Sequence, residues 1–193
     1  MLSTKLSQYS IILASSSPRR QELIKSLNIP FTVKIKDIEE IYPEELQQTE
    51  ITDFLADLKA IPFKKDLKEN ELLITSDTIV WINNEALGKP KNYNEAFQML
   101  KKLSNTTHKV ITSICITNKS FQKTMNDTTI VSFKELLDDE IDYYIKTYQP
   151  FDKAGAYGIQ EWIGKIGITK IEGSYFNVMG FPVHKLYKEL SKL

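Results

Sequence analysis

Apolar runs at residues 10–14, 31–35, 72–82 and 109–117 alternate with stretches at 18–27, 51–60, 93–103 and 138–147 whose apolar residues recur at helical spacing. The runs are rich in Ile, Val and Leu and end in polar or proline-containing turns, the pattern of strands. Ala96, Met99, Leu100 and Leu103, or Ile141, Tyr144 and Ile145, instead mark single helix faces. Strands and helices in alternation imply an α/β or α+β fold built on a mixed sheet. With 193 residues the chain can enclose one sizeable core, which predicts a single domain over 1–193. Ile79–Leu87 reads as a hairpin turning at Asn83-Asn84, where positive φ is tolerated. Gly164–Glu172 predicts a further strand, and Pro182 the start of a terminal helix.

The first strand-like run leads into Ser15-Ser16-Ser17-Pro18-Arg19-Arg20. Pro18 suits the first helical position, where its missing N–H would have had no partner, and Ser17 suits the cap. The arginines do not suit a free helix: cations in a first turn oppose the macrodipole by about 0.3–1 kcal/mol each. An anion held by these arginines, the serines and the free N–H groups would satisfy all of them. That anion must be recognised locally, because 25 basic and 25 acidic residues cancel and leave no bulk charge to draw nucleic acid or a membrane surface. The N-terminus lacks the apolar core of a signal peptide and no run reaches membrane-spanning length. A single cysteine, Cys115, forms no internal disulfide, in keeping with a reducing, cytoplasmic setting.

Asp77 interrupts Leu72–Trp81, a run that otherwise reads as a buried strand. A buried carboxylate is costly unless paired, hydrogen-bonded or metal-bound, so Asp77 either caps a turn or carries function. The acidic stretch at 37–40 reads as a solvated loop, and Lys59 or Lys89 alone as a surface cation. Asp152–Gln160 holds small residues and two glycines that permit close backbone approach to a ligand, or form an ordinary loop with a local Asp/Lys pair. Gly173–Pro182 is a second glycine-bounded segment, open to ligand binding or close packing. His108 reads as a hydrogen-bonded structural residue. The sequence has no HExxH, no GxxxxGK[ST] and no GxGxxG.

Together the blocks Ala14–Arg20, Ser76–Val80, Gly88-Lys89-Pro90 and Asp152–Gln160, with Gly173-Ser174-Tyr175 and Asn177, resemble the Maf family of nucleoside triphosphate pyrophosphatases along nearly the whole chain. Leu103-Ser104 and Thr107–Thr112 resemble the family's central strand-entry motif. The resemblance implies two lobes on an elongated mixed sheet flanked by helices, with the active site in the cleft. It also implies the branch acting on dTTP and UTP, because Arg19-Arg20, Thr78 and Gln160 match that branch. The Gln160 amide can accept from a pyrimidine N3–H and donate to O4, which suits thymine and uracil and rejects cytosine.

The implied reaction is metal-assisted hydrolysis at the α-phosphate, releasing a nucleoside monophosphate and pyrophosphate. By resemblance Asp77 is the proton acceptor or a metal ligand, and Glu40 helps hold Mg²⁺ or Mn²⁺. Ser15, Ser17, Arg19, Arg20, Lys59 and Lys89 take the phosphates, while Arg19, Thr78 and Gln160 set base choice. A homodimer is expected, without extended nucleic-acid binding. The competing class is a non-catalytic nucleotide-binding regulator, since the family has been linked to septum formation, and a third reading is a hydrolase of modified or damaged pyrimidine triphosphates. After Gln160 the chain departs from the glycine-rich continuation of many members, reading Glu161-Trp162-Ile163-Gly164.

Overall fold

The structure is a computed structural model and describes residues 2–193. In chain order the described elements are α1 (Leu2–Lys5), β1 (Ser10–Leu13), α2 (Pro18–Lys25), β2 (Phe31–Val33), α3 (Thr49–Ala60), β3 (Glu71–Ile82) and β4 (Glu85–Leu87). They continue with α4 (Tyr93–Leu103), β5 (Thr107–Thr117), β6 (Gln122–Phe133), α5 (Asp138–Tyr148), α6 (Trp162–Gly167), β7 (Ile168–Glu172), α7 (Tyr175–Val178) and α8 (Val183–Leu190). Short 3-10 turns at Ile61–Phe63, Pro150–Asp152 and Ala154–Ala156 fill the connections.

The seven-stranded sheet has the order β2-β1-β3-β5-β6-β7, with β4 paired to β3 off that path. β1 runs parallel to β2 and β3, whereas β4 and β7 are antiparallel to their neighbours, so the sheet is mixed as expected. β3 is buried at every position but Thr78, the reason it reads as a continuous apolar run rather than an alternating one. The β3–β4 hairpin turns at Asn83 and Asn84 with φ of 50° and 59°, the left-handed pair a two-residue turn requires.

Contacts gather the described chain into two compact units, neither continuous in sequence. The first takes the residues up to Asp77, with Thr112–Asp127 and Gly180–Leu193; the second takes Thr78–Ile111 and Thr128–Met179. β3, β5 and β6 contribute residues to both. In the first unit Ile12, Ala56, Ala60, Phe63, Leu67, Leu73 and Cys115 form an apolar cluster between α3 and the strands. In the second, Leu100 and Leu103 of α4 meet Ile141, Tyr144 and Ile145 of α5 over Val80, Val110 and Val131. Each Val, Leu, Ile or Phe among them contributes about 1.5–3 kcal/mol on full burial.

Two elements differ from expectation. Trp162–Gly167 is helical and only Ile168–Glu172 is strand. Gly164 makes this possible: a Cβ there would lie 2.1 Å from the Ile159 carbonyl oxygen, so a larger residue could not sit at this helix position. The long strand β6 carries no apolar run over Gln122–Thr129, because much of that stretch is only partly buried.

Candidate functional site

In the first unit the site is built from the carboxyl end of β1. The Ala14 N–H donates to the Ile74 carbonyl at 2.9 Å, so the chain leaves β1 beside β3 just before Asp77. The turn that follows is self-braced: the Ser15 hydroxyl accepts the Ser17 N–H at 3.3 Å, and the Ser17 hydroxyl accepts the Arg20 N–H at 3.4 Å as the cap of α2. Pro18 occupies the first turn, as its missing donor predicted.

The two arginines diverge. Arg19 is half-buried in the first turn, where its charge opposes that of Arg20. The Arg20 guanidinium donates to the Ser76 carbonyl at 2.7 Å and the Gly180 carbonyl at 2.9 Å, tying α2 to β3 one residue before Asp77. Burial lowers its pKa, opposed by the Asp77 carboxylate.

Asp77 lies within β3, 6% exposed, not in a turn or a cap. Its Oδ1 is 2.6 Å from the Lys59 Nζ, and the same ammonium is 3.0 Å from Glu40 Oε1. Lys59 ends α3, where a cation complements the helix dipole. Polar pegs hold α3 in place. Thr75 of β3 donates to the Ala56 carbonyl at 2.7 Å, and Asp53 accepts from Ser113 at 2.6 Å and from Asn126 at 2.9 Å. Asp57 accepts from Thr124. The stretch around Glu40 is irregular and exposed, as its composition predicted, yet Glu40 itself pairs inward with Lys59.

The second unit carries the remaining candidates. Thr78 is half-buried on β3, and exposed Lys89 follows Gly88 in the connection from β4 to α4. The Gly88 carbonyl accepts the Gly155 N–H at 3.0 Å, which joins the Gly88-Lys89-Pro90 block to the Asp152–Gln160 loop. Gly155 has φ +68° and a Cβ there would meet Val80 at 2.7 Å, so only glycine fits both the backbone and the space. Gln160 presents a buried Oε1 with no hydrogen-bond partner among the described residues.

Buried Lys153 pairs with Asp152 at 2.7 Å and Glu161 at 3.1 Å. The local Asp/Lys pair was legible in sequence; Glu161 and Tyr144, which complete the network, were not. His108 is structural: Nε2 meets the Tyr157 hydroxyl at 2.8 Å, and burial pushes its pKa down to about 4. Asn177 donates to the Val110 carbonyl and Thr129 Oγ1, each at 3.0 Å, and Gly173 packs on Thr129. The Gly173–Asn177 segment packs closely against β5 and β6.

No group of three His, Cys, Asp or Glu suited to a metal exists among the described residues. Glu40 and Asp77, gathered on one ammonium, nonetheless offer two carboxylates without nitrogen or sulfur donors. That set fits Mg²⁺, which takes one or two carboxylates and completes its shell with water and substrate phosphates.

A family model described as Maf-like protein matches residues 10–193. A dTTP/UTP pyrophosphatase of Flavobacterium johnsoniae is 58% identical over 193 residues, covering 100% of both chains. One of Flavobacterium psychrophilum is 60% identical over 187 residues, covering 97% of this chain and 96% of its own. Among solved structures, the Staphylococcus aureus Ham1 protein shares the fold, with a TM-score of 0.55 at 18% identity over 95% of this chain and 98% of that one. No described helix is long and apolar enough to cross a membrane.

Proposed function

The chain belongs to the Maf family, and on that footing we propose that it hydrolyses dTTP and UTP to the nucleoside monophosphate and pyrophosphate. The relatives that match it over full length carry that activity in their names. The observation that carries the chemistry is Asp77, a carboxylate buried inside a strand and held at 2.6 Å by Lys59.

A water attacks the α-phosphorus. The new P–O bond forms as the bond to the β-phosphate's bridging oxygen breaks, and its electron pair leaves with pyrophosphate. Asp77 takes the proton from the water, while Lys59 fixes the carboxylate's orientation through its other oxygen. Ser15, Ser17, Arg19 and the N–H groups at the start of α2 receive phosphate oxygens, and Lys89 adds a point charge. Arg20, with its guanidinium on two carbonyls, acts chiefly as the brace that holds Ser76 and hence Asp77 in place. Glu40 and Asp77 would hold a divalent ion, Mg²⁺ or Mn²⁺, whose contribution is to offset triphosphate charge. Arg19, Thr78 and Gln160 set base choice, the Gln160 carboxamide pairing with the N3–H and O4 of a pyrimidine. A homodimer in the cytoplasm belongs to the same reading; sedimentation as a monomer at assay concentration would remove the dimer.

The test is to offer each nucleoside triphosphate with Mg²⁺ and resolve the products. Monophosphate with pyrophosphate is expected; a diphosphate with orthophosphate would exclude attack at the α-phosphorus. Asp77→Asn should lower kcat by about 10²–10⁴-fold, the usual worth of a positioned proton acceptor, and near-normal turnover would remove Asp77 from that role.

A further inference from the structure

We propose that Tyr144 and Glu161, with Lys153 behind them, are positioning residues that set the Gln160 carboxamide for base selection. The inference rests on the reading that Gln160 meets the base. It goes further by naming what holds Gln160, at the point where this sequence leaves the family's glycine-rich pattern.

Gln160 lies in the turn Gly158–Glu161, whose two ends are both held. On its C-terminal side both oxygens of Glu161 are engaged: Oε1 lies 3.1 Å from the buried Lys153 ammonium, and Oε2 accepts the Tyr144 hydroxyl. The same hydroxyl accepts the Gly158 N–H at 3.0 Å, so one side chain of α5 ties both ends of Gly158–Glu161. The turn closes on itself through the Glu161 N–H and the Gly158 carbonyl, 3.0 Å apart.

Two glycines make room for this arrangement. A Cβ at Gly158 would lie 2.8 Å from the Glu161 carboxyl carbon, and one at Gly164 would strike the Ile159 carbonyl. Burial, then the bond to Glu161, raises the Tyr144 hydroxyl's pKa, so it stays a donor throughout the working pH range. The Tyr144 hydroxyl, the Lys153 ammonium, the Glu161 carboxylate and the Gly158 N–H thus find partners inside the network, while the Gln160 Oε1 is buried and has none. The network holds the backbone on both sides of Gln160 and so fixes where its carboxamide meets the base, which it must do to tell N3–H with O4 from the cytosine pattern.

Tyr144→Phe keeps the ring and removes both hydrogen bonds; Glu161→Gln keeps an acceptor for Tyr144 but loses the charge opposite Lys153. The readout is the ratio of kcat/KM for UTP over CTP, with kcat and KM for dTTP measured separately and Gln160→Ala alongside. Both network variants should reduce the ratio by about tenfold, the size expected for a displaced hydrogen-bonding group. The KM for dTTP should rise and kcat should change by less than about twofold, the signature of lost ground-state binding rather than lost chemistry.

A reduced ratio in Gln160→Ala with an unchanged one in both network variants overturns this inference and leaves the base-reading role standing. An unchanged ratio in Gln160→Ala overturns the base-reading role itself. Equal loss of kcat on every nucleotide, ratio intact, makes the network merely structural and overturns the inference. Amide hydrogen exchange on the unaltered protein tests the clamp without any variant. Gly158 N–H should exchange at least about 10²-fold slower than an open loop amide, and exchange at the unprotected rate would overturn the inference.

Discussion

Lys59 stands between two carboxylates, one exposed and one almost wholly enclosed, with side-chain exposures of 45% for Glu40 and 8% for Asp77. Removing one partner of a buried pair leaves the other uncompensated, so Lys59→Met should cost about 3–5 kcal/mol at neutral pH, read from the urea midpoint. Adding Asp77→Asn to Lys59→Met should recover most of that loss, and strict additivity of the two would show that they do not interact. Arg20 presents a different case. Arg20→Ala strips the donors from the Ser76 and Gly180 carbonyls and should destabilise by about 2 kcal/mol with kcat falling as Asp77 shifts. A variant of unchanged stability and raised KM alone would return Arg20 to direct phosphate binding. The cap residues were readable one by one, because Ser17 and Pro18 satisfy rules local to a helix start. The destination of the Arg20 guanidinium was not readable, because Gly180 lies 160 positions away along the chain.

At the scale of elements, apolar spacing carried the strands β1, β3 and β5 and the helices α2 to α5 to within a few residues. The exceptions share a cause. α6 is short and starts at Trp162 without a side-chain cap, and its backbone packs directly on the Ile159 carbonyl, a contact that spacing along the chain does not encode. Gly164→Ala should therefore lower stability by about 1–3 kcal/mol or more and disturb the loop that bears Gln160, whereas Gly88→Ala, with open space around its Cβ position, should leave stability nearly unchanged. Thermal melts of the two variants side by side check this; equal melting temperatures would contradict the close approach. β6 was hidden because Gln122–Asp127 pairs in the sheet while remaining largely polar, so pairing with its neighbours, not apolar alternation, makes it a strand.

For the molecule as a whole, acid stability follows from one buried ring. His108 has its pKa pushed down to about 4 by burial, below the ordinary value near 6.5, so the folded protein binds the proton less readily than the unfolded chain. Its contribution is complete above about pH 6.5 and is lost as the pH falls toward 4, at an order of about 3 kcal/mol over that window. Carboxylates whose pKa values are lowered by their lysine partners, such as Glu140 and Glu189, begin to add a further loss as the pH falls through the ordinary carboxylate value of about 4.3. Urea midpoints between pH 7 and 4 should slope accordingly, and His108→Gln should flatten the slope; an unchanged slope would place the acid sensitivity elsewhere.

The alternation of strands and helices, the mixed sheet, the serine turn at the head of α2 and the membership of a pyrophosphatase family were all legible along the chain. Each depends on local geometry or on short motifs whose order survives in one dimension. Folding in three dimensions was needed to bring Lys59 between Asp77 and Glu40, to set Arg20 on backbone carbonyls, and to tie both ends of the Gln160 turn to Tyr144. Those partners belong to different elements of the chain, and a buried charge or hydroxyl pairs with whichever group the packing of separate elements delivers to it.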